Sequence, residues 1–160
     1  MYKGQPAPAG EVNKPLLIAK TLLLTILLFF GAFGFFFFIW KDNPNASGSC
    51  LMLEILCAMY LHFNTAVLKG TLEQKFNRTR LKIVFILTIV IGVIQFLGAL
   101  SYIVLATTQK QKFQVEGRSF YVASIPAAFA ALIAPFLAYE SKVAMALFPE
   151  VNTGVVGFPA

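Results

Sequence analysis

Four apolar runs, each of at least about 18 residues, leave this chain few ways to fold. At about 1.5 Å per residue, a helix of that length crosses a hydrocarbon core about 30 Å thick. The expectation is an all-α polytopic membrane protein, a four-transmembrane-helix up-down bundle. Its transmembrane domain should cover residues 15–148, with spans at 16–40, 47–69, 81–107 and 120–148. Residues 1–14, rich in Pro and Gly and without an apolar period, read as a flexible cytoplasmic tail, and residues 149–160 as another.

Composition agrees: 160 residues suffice for one domain, and 58% hydrophobic with 12% charged is far from a soluble chain, where charged residues make up about a quarter. The first run exceeds a signal-peptide core and has no convincing small-residue cleavage site, so it should stay as a span. The net charge of +6 does not point to nucleic acid, because the basic residues flank apolar runs instead of forming a basic domain. Lys69, Lys75, Arg78, Arg80 and Lys82, opposed only by Glu73, cluster between the second and third spans. The positive-inside rule makes that loop cytoplasmic, which places both termini there too. Lys3 and Lys14 agree; Lys110, Lys112 and Arg118 in the third loop pull the other way.

The spans differ in what they offer a neighbour. In the first, Gly31 and Gly34 permit close approach, Phe35 to Phe38 form a packing or lipid-facing surface, and Lys20 can extend its ammonium to the interface. Asn, Pro and Gly in residues 41–48 read as a tight turn, so spans one and two are antiparallel neighbours. That turn contains Asn45-Ala46-Ser47, an acceptor pattern for N-glycosylation if the loop is lumenal, although it lies close to the bilayer. In span three, Thr88, Gly92, Gln95, Ala99 and Tyr102 recur at helical spacing as a small and polar seam. In span four, Ala123, Ala127 and Ala131 form one ladder, Ala130, Ala134 and Ala138 another, and Pro126 and Pro135 should kink the helix.

Polar groups inside these runs are the candidate functional residues: Glu54, His62 and Asn64 in span two, Gln95 in span three and Glu140 in span four. On a helix, His62 and Asn64 each sit about 80° to one side of Glu54, and His62 lies about 12 Å from it along the axis. They are not an acid-base pair. Glu54 has no basic neighbour in sequence and is expected to hydrogen-bond Gln95, with a proton or cation path as the sharper reading. Glu140 is expected to pair with Lys142 or an interfacial lysine. His62, the only histidine, is either an interhelical hydrogen-bonding residue or an axial haem ligand, with Tyr60, Tyr102 or Tyr139 as partner. Cys50 and Cys57, two turns apart at roughly 10 Å, cannot pair with each other. The sequence has no Gly-rich phosphate loop, cysteine-histidine metal array or nucleophile elbow, and the expectation is a protein that is not an enzyme.

Three stretches resemble the MARVEL-type tetraspans of the synaptogyrin and synaptophysin branch: Asn43-Pro44-Asn45-Ala46, GALSYIVLATTQ at 98–109, and AAFAALIAPFLAYESKVAMALF at 127–148. The resemblance implies a four-helix protein of vesicle, endomembrane or plasma membrane, acting in trafficking and membrane organisation or as an accessory subunit of a larger complex. Its partners would be the bilayer and other membrane subunits or further copies of itself. The chain departs from that branch in its short exoplasmic loops and in lacking a long tail with tyrosine repeats. A second resemblance, to small four-span haem importers, rests on His62 and on residues 136–142, where Glu140 stands in place of an expected basic residue. It implies the alternative function, a haem or proton-coupled small-solute transporter using His62 and Glu54.

Overall fold

The computed structural model describes residues 14–115 and 119–148. The tails at 1–13 and 149–160, and Arg118, lie outside the described residues. Four long helices and one short turn of helix account for the fold: α1 (Lys14–Trp40), α2 (Pro44–Leu68), α3 (Leu72–Lys75), α4 (Arg78–Thr108) and α5 (Phe120–Ala146). No strand occurs among the described residues. The four long helices are each apolar and long enough to cross a bilayer. The protein is an all-α, integral, multi-pass membrane protein.

The starts of α2 and α4 each come three residues earlier than the apolar runs suggest, and in both an asparagine is the cause. Asn43 caps α2, its side-chain oxygen accepting a hydrogen bond from Ala46 N at 3.1 Å, and Pro44 takes the first helical position, where a missing N–H costs nothing. The Asn-Pro pair expected within a tight turn is therefore the start of a helix, and only residues 41–43 connect α1 to α2. Asp42 closes this connection in a left-handed conformation, φ 53°, which aspartate tolerates better than most residues. Asn77 caps α4 in the same manner, accepting from Arg80 N at 2.7 Å. At the other end of the chain, α5 remains one helix through both Pro126 and Pro135.

Packing follows the order α1, α2, α5, α4. α1 packs on α2, α2 on α5, and α5 most extensively on α4, while α1 and α4 share no extensive interface. The central pair buries about twice the share of its apolar window that the outer pair does. Small residues make the close contacts, as membrane packing requires. A Cβ on Gly31 would stand 3.0 Å from the Cys50 carbonyl oxygen and 3.0 Å from Glu54 N, so only glycine lets α1 cross α2 here without backbone movement. A Cβ on Gly92 would stand 2.7 Å from Ala134 Cβ, which locks the α4 seam against the α5 ladder. Ala123, Ala127 and Ala134 are buried in these interfaces with Ala99 and Ala138, and Ala131 is half-buried.

The main core, around Leu53, Leu56, Phe63, Leu81 and Leu137, lies between α2, α4 and α5. A smaller one, Phe38, Ala46, Cys50, Val122 and Ala123, sits at the end of the molecule that carries the α1–α2 connection. Both cysteines are buried and free.

Candidate functional site

An ion pair inside the membrane-spanning helices defines the most distinctive site. Lys20 of α1 bonds to the carboxylate of Glu140 on α5, 120 residues away in sequence, and the phenol of Tyr60 on α2 lies beside the same carboxylate. Tyr60 is buried, whereas Lys20 and Glu140 keep 36% and 23% of their side-chain surface, so the pair is shielded on one side only. Three helices thus converge on one acid. Glu140 accordingly finds an interfacial lysine, while Lys142 lies on the exposed side of α5.

Helix register places a second set of polar groups at this depth. α1 and α2 run antiparallel with Gly31 beside Glu54 and Gly34 beside Cys50, and continuing that register sets Asn64 opposite Lys20. α2 and α5 run parallel with Tyr60 beside Glu140, which brings Asn64 and Ser141 to within about one turn of the same level. Asn64 and Ser141 are completely buried. Neither the amide nitrogen nor the oxygen of Asn64 has a hydrogen-bond partner among the described residues, and Ser141 Oγ has none either. A buried amide left unpaired costs about 1–3 kcal/mol, so this is an expensive arrangement.

The other candidates are dispersed. Glu54 is half-buried at the α1–α2 crossing and has no side-chain hydrogen bond or ion pair among the described residues; the expected bond from Gln95 is not formed. Gln95 is buried on α4 facing the bundle, as its cost in lipid requires. His62 projects from the exposed side of α2, its ring 5.4 Å from that of Phe76. No second ligand gathers around it: Tyr60 is engaged with Glu140, Tyr102 stacks on Phe120 at 6.0 Å, and Tyr139 is 69% exposed on α5. These residues do not fit a haem site. Nor do three or more His, Cys, Asp or Glu side chains cluster anywhere among the described residues. Asn45 and Ser47 lie in the first turn of α2, and Ser47 is buried with its hydroxyl donating to the Phe35 carbonyl at 3.2 Å, so the glycosylation pattern is folded into a helix start.

At the opposite end of α2, Asn43 makes a contrasting polar contact. Besides capping its own helix, it donates from Nδ2 to the Ser119 carbonyl at 3.2 Å and so ties the α1–α2 connection to the start of α5.

Sequence reasoning singled out Glu140 and Asn64 and missed Tyr60 as a Glu140 partner, Ser141, and Lys20 as the pairing lysine. One signal was available. Lys20 lies about 9 Å along the axis from the start of α1 and Glu140 about 9 Å from the end of α5, so both reach the same depth from one membrane face. Comparison of the chain with protein-family models, with curated proteins and with solved structures finds no match.

Proposed function

We propose that the protein is a non-enzymatic tetraspan that acts in vesicle trafficking or membrane organisation, or as an accessory subunit of a larger membrane complex, with both termini cytoplasmic. The MARVEL-type resemblance belongs to this reading. The observation that carries it is the helix order: α1 and α4 stand at the two ends and leave long apolar faces without a partner helix. On α1 that face includes Phe29, Phe33 and Phe36, and on α4 Ile94, Leu97 and Val104, all exposed. Between α4 and α5 an apolar groove of about 280 Å³, lined by Gly92, Phe96, Ala134 and Pro135 among others, adds a concave surface. The alanine and glycine seams hold α4 to α5, so docking falls to these outer faces and to the groove that runs beside the seam.

The reading is tested by extracting the protein gently into lipid nanodiscs and measuring particle mass. A particle containing several copies or a stoichiometric partner is expected; a strictly monomeric, partner-free particle overturns it. The transporter alternative is favoured only by the intramembrane ion pair, and it would use Lys20, Tyr60 and Glu140 in place of His62 and Glu54.

A further inference from the structure

We infer that the segment joining α2 to α4, residues 69–77 with α3 inside it, is together with the first turns of α4 a docking surface for polyanionic phospholipid headgroups of the phosphoinositide class. Charge carries this. Lys69, Lys75, Arg78, Arg80 and Lys82 fall within residues 69–82 and are opposed there by one acid, Glu73. The three lysines and Arg80 are exposed, and none of the three ammonium groups has a hydrogen bond or ion pair among the described residues. Lys14 opens α1, and Lys142 lies about one turn from the end of α5; both are exposed at the same end of the bundle, where Lys20 already neutralises Glu140.

The backbone that presents these cations is pinned. α2 closes with Thr71 N donating to the Ala66 carbonyl at 2.9 Å and with Gly70 in a left-handed conformation, φ 63°. Phe76 is buried, its ring centroid 5.8 Å from that of Phe63 and 5.4 Å from that of His62, and it plugs the segment into the main core. The Arg80 guanidinium donates to the Lys75 carbonyl at 2.9 Å, which ties the start of α4 back to α3. A loose basic tail loses chain entropy when it meets a membrane; a segment already folded loses little beyond its lysine rotamers. Because the segment joins two spans, its cations stand at the headgroups, and lipid phosphate is the anion they meet first. A headgroup with several phosphate charges engages several of them at once, which a singly charged headgroup does not. The opposite end differs: its first connection carries Lys41, stacked over Trp40 at 4.6 Å, next to Asp42. The inference deepens the membrane-organisation reading and rests on it, yet the two fail separately, because particle mass does not depend on which headgroup is bound.

Native mass spectrometry of the full chain in detergent tests this, by titration with short-chain phosphatidylinositol bisphosphate, phosphatidylserine and phosphatidylcholine. The bisphosphate should be retained at least about tenfold more tightly than phosphatidylcholine, with phosphatidylserine between them. Each basic residue near an anionic headgroup strengthens association about fivefold, so the triple variant Lys69→Gln, Lys75→Gln, Lys82→Gln should weaken bisphosphate binding roughly 100-fold. Those side chains are exposed and unbonded, so the variant should keep the wild-type melting temperature. The control Lys41→Gln, Lys112→Gln, at the other end, should bind the bisphosphate within about twofold of wild type. Equal retention of the three lipids overturns the proposal. Equal loss in the triple variant and the control shows attraction to net charge alone and overturns it too. Soluble inositol trisphosphate bound as tightly as the lipid overturns the assignment to a membrane headgroup.

Discussion

Asn43 and Asn64 are completely buried asparagines on the same helix, one at its cap and one in its last two turns, about 31 Å apart along the axis. Asn43 uses both ends of its amide, accepting from Ala46 N and donating to the Ser119 carbonyl, and the small core around Phe38, Cys50 and Val122 closes over it. Asn64 uses neither end, although Tyr60, Glu140 and Lys20 meet at its level. The same residue type is thus a fastener at one end of the molecule and an uncompensated cost at the other. A cost of that kind in the interior of a span, at the level of an ion pair, is one that stability alone does not explain.

Replacing Asn43 should have the largest effect. Asn43→Leu removes an N-cap, worth about 1 kcal/mol, and one of the two hydrogen bonds to the Ser119 carbonyl, which keeps only the bond from Ala123 N at 3.4 Å, for about 0.5–1.5 kcal/mol more. A loss of roughly 2 kcal/mol is expected, read as a lower denaturation midpoint in mixed micelles. A loss under about 0.5 kcal/mol would mean that the latch is decorative and would erase the contrast.

The ion pair should matter less. Removing one partner of a fully buried pair costs about 3–5 kcal/mol, but Lys20 and Glu140 are partly exposed and the lysine can retreat to the interface. Glu140→Gln should cost about 1–2 kcal/mol, and the double variant Lys20→Met, Glu140→Gln should recover part of it, because the stranded ammonium is then gone. A double variant less stable than either single one would show that the cluster is structural, on a par with Asn43.

These contrasts mark where sequence alone stops. The four spans were legible because run length is itself the signal, and the close approaches at Gly31 and Gly92 were legible because small residues in apolar helices have few other uses. The start of α2 was read three residues late, since Asn43 and Pro44 carry turn chemistry and cap chemistry equally well. Glu140 and Asn64 were visible as misplaced polar groups. That Lys20, 120 residues distant, would be the lysine to reach Glu140, with Tyr60 as a third member, depends on the order in which helices pack, and apolar periodicity does not encode that order. The same limit applies to Glu54 and Gln95, whose expected bond assumes an α2–α4 contact that is slight, because α5 lies between the two along most of their length.

The most direct test of the difference between the two asparagines is the stability of Asn64→Leu. With neither end of its amide bonded, Asn64 is a burden on the fold, and its replacement should stabilise the protein by about 1 kcal/mol, raising the melting temperature by a few degrees. Destabilisation by Asn64→Leu comparable to that of Asn43→Leu would contradict it, and would show that both asparagines are fasteners.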